Sequence, residues 1–154
     1  MNKFLKKFID KNFKAAGKAL DLGCGKFYDI KHLKSKGWKC DGADKINGQD
    51  LEKYFLSKKT PFDLVYSNFV LHFIKNKKTF IKTVYNNLKK NGKFFILAMH
   101  KTDKICDSDI TIGSLKKLLI SKNFKNIKMR LFADYDNDPG HKHWHRIIEA
   151  SGKK

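Results

Sequence analysis

The chain has 154 residues, 41% of them hydrophobic with 13 Phe, which fits one domain and excludes the disordered and fibrous classes. No apolar run reaches the roughly 18–20 residues of a spanning helix, and Met1-Asn2-Lys3-Phe4 opens no signal-peptide core, so a cytoplasmic chain without a membrane partner is expected. The formal charge of +19 raises nucleic acid as a partner, but only Arg130 and Arg146 among the 34 basic residues are Arg, the residue suited to bidentate phosphate and base contacts.

In chain order, Phe4, Leu5, Phe8, Ile9 and Phe13 form one stripe, which predicts an amphipathic helix over 3–13. Residues 1–17 then cap a core of 18–150, and the whole of 1–154 makes one domain. Lys18–Leu22 is a short apolar strand running into Gly23-Cys24-Gly25. Phe27–Lys36 reads as a helix stopped by Gly37, and Trp38–Ala43 as a second strand ending at Asp44. Leu51–Lys58 looks helical, and Phe62–Ser67 is a buried strand. Phe80, Ile81, Val84, Tyr85 and Leu88 mark a helix that stops at Asn91-Gly92, before a strand over Lys93–Met99. Ser114 is a good N-cap for a helix carrying Leu115, Leu118 and Leu119. Ile127–Ala133 and Trp144–Ala150 are strands on either side of the turn-rich Asp136-Asn137-Asp138-Pro139-Gly140. Strands alternating with helices predict a doubly wound, mostly parallel α/β sheet, and the terminal hairpin makes its last strand antiparallel. Lys is spread over every helix, so the positive field is diffuse. The three Cys, with no Cys-x-x-Cys pair, read as reduced thiols.

Ala19-Leu20-Asp21-Leu22-Gly23-Cys24-Gly25, followed at a distance by Asp44, is the sharpest constellation. Glycines between a strand and a helix let the backbone approach a ligand, and an acid at the end of the second strand suits two ribose hydroxyls. No third glycine follows and no phosphate-binding Lys-Ser/Thr is present, which disfavours a pyrophosphate cofactor.

At these residues the sequence resembles the class I methyltransferases. Leu20–Gly25 is similar to that family's first motif, and Gly37–Asp44 to its second strand and ribose-binding acid. Phe62–Ile74 is similar to its fourth-strand motif, and Leu88–Leu97 to the helix–turn–strand that follows. The small-molecule branch that includes the tellurite-resistance methyltransferases is nearest. The resemblance implies a Rossmann-like fold and S-adenosylmethionine as cofactor, with S-adenosylhomocysteine as product. It implies that Asp21 orients the methionine amino group and that Gly23, Cys24 and Gly25 admit the methionyl moiety. Asp44, with Lys45 beside it, would hold the ribose, Asp50-Leu51 would face adenine, and Asn68-Phe69 would line the sulfonium. The chain departs from the family between Asp44 and Phe62, where a helix, a strand and a helix have too few residues. The edge strand after Asp44 is therefore expected to be reduced or absent.

Ligands bind outside the carboxyl ends of the strands in an open parallel sheet. This places Met99-His100 and the hairpin turn Asp134–His141, with Asp134, Asp136 and Asp138, near the methyl group. His141, His143 and His145 alternate and share one strand face. Three roles fit them: metal ligation with the Asp residues, proton removal from an acceptor, or polar packing at a sheet's end. His141, His143 and His100 are the candidate catalytic residues, and no metal is assigned. His72 reads as structural and His32 as a surface residue.

Methyl transfer from a sulfonium needs mainly alignment of donor and acceptor. Asn68 is followed by Phe-Val-Leu and not by Pro-Pro-aromatic, which argues against methylation of base amino groups. Little chain lies beyond the core to recognise a macromolecule, so a small-molecule acceptor is expected. RNA or protein methylation, with or without a partner subunit, and a non-catalytic cofactor-binding subunit are the alternatives. The oligomeric state is not legible.

Overall fold

A computed structural model describes residues 1–138 and 140–154; Pro139 and the side chains of Asp138 and His141 lie outside the described residues. Asn2 starts the first helix, its side chain accepting the N–H of Phe4 at 2.9 Å and of Leu5 at 3.2 Å. Helix α1 (Lys3–Asn12) buries Leu5 and Ile9 and sets Phe8 against Phe95, with ring centroids 5.0 Å apart. It is followed by β1 (Lys18–Leu22), α2 (Tyr28–Ser35), β2 (Lys39–Ala43), β3 (Phe62–Asn68), α3 (Lys77–Asn87), β4 (Leu88–Met99), α4 (Ile112–Ser121), β5 (Lys125–Asp138) and β6 (His141–Lys153).

The six strands form one sheet in the order β2-β1-β3-β4-β6-β5. The first four are mutually parallel, and β6 runs antiparallel to both β4 and β5. This is the expected doubly wound sheet with an antiparallel strand from a terminal hairpin. No strand forms between Asp44 and Phe62 among the described residues, so the usual edge is missing as expected. Strand alternation divides the core in two. Leu20, Leu22, Val65, Phe94, Ile96 and Ile148 pack with α3 and α4, whereas Ala19, Leu64, Tyr66, Phe95, Leu97 and Ile147 pack with α1 and α2.

Several boundaries differ from the sequence reading. Leu51–Lys58 is not a helix but a turn and an extended run tied to α3 by side chains. Asn87 accepts the Ser57 N–H at 2.9 Å and donates to the Phe55 carbonyl at 2.9 Å, and Thr83 Oγ1 accepts the Phe55 N–H at 3.1 Å. These bonds replace the ones a helix would supply. Helix α3 ends at Asn87 and not at Asn91-Gly92, because Leu88 already pairs with Phe62. The register then jumps, Leu64 pairing with Lys93, so Lys89–Gly92 form a bulge with Asn91 at φ 61°. A Cβ on Gly92 would lie 2.9 Å from the Lys89 carbonyl oxygen. Thr111, not Ser114, caps α4: Ser114 N donates to Thr111 Oγ1 and Thr111 N to Ser114 Oγ, each at 3.0 Å. The hairpin strands are longer than expected, pairing from Asp138–His141 inward, so Asp136 belongs to a ladder and not to a turn.

Candidate active site

The strand order reverses between β1 and β3, and there the carboxyl ends deliver Gly23, Asp44 and Asn68 to one crevice. Gly23 adopts φ 93° and donates to the Ala43 carbonyl at 2.7 Å; a Cβ there would stand 2.1 Å from Val70 Cγ2. Gly25 adopts φ 45° with nothing within 4 Å of a Cβ, so its outer face is open to a ligand. Its N–H donates to Asp44 Oδ2 at 3.0 Å, while Asp44 Oδ1 accepts the Ile46 N–H at 3.0 Å. Asn47 Oδ1 accepts the Asp44 N–H at 2.9 Å and completes the cap. Asp44 is thus fixed at the end of β2, facing the glycine turn. Phe27 is the N-cap of α2 and not a helical residue, held at φ 64° where glycine would be unstrained.

Asp21, 4% exposed, points to the α1–α2 side of the sheet. Burial pushes its carboxyl up to about 8, and the charges of Asp29 and Asp44 add to the shift. The Tyr66 hydroxyl beside it opposes the shift, yet forms no hydrogen bond of regular geometry. Tyr66 OH and Asn68 Oδ1 are buried without a hydrogen-bond partner among the described residues. Asn68 Nδ2 donates to Asp29 Oδ2 at 2.8 Å, and Asp29 Oδ1 accepts the Asn2 N–H at 2.9 Å, drawing the start of α1 to this crevice. Phe69, at φ 59°, follows. Burial, then Asp21 and Asp44, push the Cys24 thiol up to about 12, so it is no nucleophile near neutrality.

The adenine side fits the sequence reading less well. Lys45 and Asp50 are exposed, and Asp50 caps its own turn through the Glu52 N–H at 3.1 Å. Leu51 is 6% exposed and packs in the core with α3.

A second cluster lies where β6 runs past the end of β4. His100 N donates to the Arg146 carbonyl at 2.8 Å, and the Arg146 N–H returns to Asp103 Oδ2 at 2.6 Å. The Asp103 carboxylate thus continues the ladder that β4 has left. Its Oδ1 accepts the N–H of Ile105 at 2.9 Å and Cys106 at 2.8 Å, and its Oδ2 also meets His145 Nδ1 at 3.1 Å. His145 Nε2 lies 2.9 Å from His143 Nε2. Asp103, Cys106 and His145 bring potential metal-ligand atoms within 4.8 Å of one another. The two Asp103 oxygens already have four hydrogen-bond partners, so the cluster reads as a hydrogen-bonded chain with the carboxylate fully engaged.

Of the other histidines, His100 Nδ1 lies 2.7 Å from Thr102 Oγ1 and accepts the Thr102 N–H at 3.2 Å, which ties that ring to its own turn. His72 is buried, and desolvation pushes it down to about 4; its Nδ1 faces the Met99 N–H at 3.4 Å, so it is a neutral structural group. The His141 side chain lies outside the described residues.

The model of the methyltransferase domain family matches residues 1–146. The chain belongs to the class I, S-adenosylmethionine-dependent methyltransferases. Solved structures share the methyltransferase's fold at low identity. An S-adenosylmethionine-dependent methyltransferase from Mesorhizobium loti is 18% identical with a TM-score of 0.71, over 91% of this chain and 92% of that one. The 1,6-didemethyltoxoflavin-N1-methyltransferase of Burkholderia thailandensis is 15% identical with a TM-score of 0.70, over 99% of this chain and 77% of that one. TehB of Haemophilus influenzae is 17% identical with a TM-score of 0.73, over 100% of this chain and 62% of that one. No curated protein matches the sequence.

The sequence reading of this methyltransferase missed Asp29, Tyr66 and Asp103. Asp29 is the one acid in the first turn of α2, a position that faces the strand ends. Asp103 lies in a polar loop, and its partner His145 is 42 residues away, so spacing gave no sign of the pair.

Proposed function

We propose that this methyltransferase carries the methyl group of S-adenosylmethionine to a small polar acceptor held where the carboxyl end of β4 meets the amino end of β6. The chain Asp103–His145–His143 carries this reading, because strand alternation puts those imidazoles on the sheet face that also bears Tyr66 and Ile147. Asp21, protonated near neutrality in the ligand-free protein, would ionise against the cofactor's ammonium group. The open face of Gly25 would admit the methionyl moiety, and Asp44 has lone pairs left for the ribose hydroxyls beside its two backbone bonds. Asn68 Oδ1, buried and unpartnered among the described residues, would face the sulfonium end. The cofactor supplies a sulfonium leaving group; the protein supplies alignment and, through His143, a proton acceptor. The Burkholderia structure with bound 1,6-didemethyltoxoflavin and S-adenosylhomocysteine shows this fold holding a small acceptor.

RNA methylation is the second reading. A cavity of about 620 Å³ beside α1 is lined by Lys7, Lys11, Lys93, Lys128, Arg130 and Lys153, with Glu149 the one acid. It lies where Lys93 and Lys153 pair, at the opposite end of β4 from Met99, so an anion bound there is remote from the methyl group. Radiolabelled methyl transfer, run over separated metabolite, RNA and protein pools, decides between the two. Label in the metabolite pool is expected; label confined to RNA or protein would overturn the small-acceptor reading.

A further inference from the structure

We propose that the cleft between α1 and the β4-β6-β5 face is a second ligand site, for a small phosphate monoester carrying a flat apolar body. It lies at the end of β4 opposite Met99, away from the cofactor crevice, and does not depend on which acceptor is methylated. Three lysines meet there in one row of the ladder: Lys153 on β6 is directly opposite both Lys93 on β4 and Lys125 on β5. Like charges placed directly across a sheet repel and cost stability, and a bound anion would offset that cost. Lys93 is held in the row. Its Nζ donates to the Asn12 carbonyl at 2.8 Å and to Asn12 Oδ1 at 3.2 Å, and sits 5.1 Å from the centre of the Phe13 ring. One of its three N–H donors remains.

The rest of the cleft adds cations and no available anion. Helix α1 brings Lys7 and Lys11 one turn apart, and Lys128 follows Lys125 across the irregular start of β5. Lys7, Lys11, Lys128 and Lys153 have no ion-pair partner among the described residues. Glu149, the one acid of the cleft, is taken by Arg130 at 2.6 Å. Phe4 and Phe8, half-buried and also one turn apart, supply apolar surface beside the lysines of α1. The cavity of about 620 Å³ has the size of a small-molecule pocket. Lysine binds phosphate as a point charge, and a phosphate monoester carries close to two charges near neutrality. That suits two opposed lysines better than a carboxylate does. Cations gathered around one cavity fit a compact ligand, whereas a nucleic-acid strand is followed by an extended basic groove.

Calorimetric titration of naphthyl phosphate into the whole chain, in a low-salt buffer free of phosphate, tests the site. One molecule per chain should bind, inorganic phosphate should bind more weakly, and naphthol should not bind. Backbone ¹H–¹⁵N shifts should move along Lys7–Asn12 and Lys125–Arg130 and stay fixed at Gly23–Gly25. Lys128→Gln with Lys153→Gln should weaken binding about tenfold, the scale of a lost hydrogen bond to a charged group. Lys116→Gln with Lys117→Gln removes the same charge from α4 and should leave binding unchanged. Without ligand, Lys153→Gln should raise the melting temperature by about 1–3 °C, because it relieves the repulsion across the row. Equal weakening by the two double variants would reduce the effect to the diffuse positive field and overturn the site. Inorganic phosphate binding as tightly as the ester would overturn the apolar half of the assignment. A short single-stranded RNA that binds through the same lysines more tightly than the ester would overturn the small ligand in favour of nucleic acid.

Discussion

The backbone N–H of Gly25 donates to Asp44 Oδ2 at 3.0 Å, so the acid that ends β2 holds the glycine turn that ends β1. Asp44 also caps the short turn Lys45–Asn47 through its second oxygen. Asp44→Ala should therefore lower the stability of the ligand-free protein by about 0.5–2 kcal/mol, the range for a lost cap. Urea unfolding monitored by circular dichroism would read it, and unchanged stability would show that the two bonds are incidental.

Gly23→Ala meets two obstacles, a φ of 93° and a Cβ position 2.1 Å from Val70 Cγ2. A loss of about 2–4 kcal/mol is expected, part strain and part overpacking. Val70→Ala should restore the packing share and leave the backbone share. A double-mutant cycle with no coupling would refute the contact.

Asp21 has its folded pKa at about 8, above the unfolded value of 3.8. Between roughly pH 4 and 8 the folded chain keeps a proton that the unfolded chain has lost, so this group's contribution to stability falls as pH rises. Asp21→Asn keeps the shape without the charge. It should raise the melting temperature at pH 8 by several degrees, about 1–3 kcal/mol, have little effect at pH 4, and weaken cofactor binding. Equal melting-temperature changes at the two pH values would contradict the buried neutral carboxyl.

His143→Ala should lower turnover about 10²–10⁴-fold with cofactor affinity held, the usual scale for a general base. His100→Ala should change turnover far less, because that ring is engaged by Thr102 within its own turn. Steady-state kinetics with the identified acceptor would compare them, and the reverse order would move the base to His100.

The parallel core was legible because apolar strands such as Lys18–Leu22 and Phe62–Ser67 run into turns whose residues need a backbone no other element supplies. The missing edge strand was legible from too few residues before Phe62. Leu51–Lys58 misled because its helical propensity competes with bonds to Thr83 and Asn87, partners about 30 residues away that no local pattern records. The hairpin was read as two short strands and a loop because Asp136-Asn137-Asp138 has turn composition, yet cross-strand pairing carries the ladder through it. For the site, Asp21, Gly23, Gly25, Asp44 and Asn68 stand at the strand ends as their motif positions imply. The Asp103–His145–His143 chain was not legible beyond the alternation of its histidines, since the Asp103 side chain substitutes for a strand whose end composition does not mark.

Calorimetric titration of S-adenosylhomocysteine into wild type and Asp44→Ala, near neutral pH in two buffers of different ionisation enthalpy, tests the cofactor site most directly. Wild type should bind with release of a proton as Asp21 ionises against the ligand's ammonium group, and Asp44→Ala should lose about 1.5–3 kcal/mol of affinity. Binding of equal strength in both proteins, with no proton exchanged, would contradict the assignment of that crevice to the cofactor.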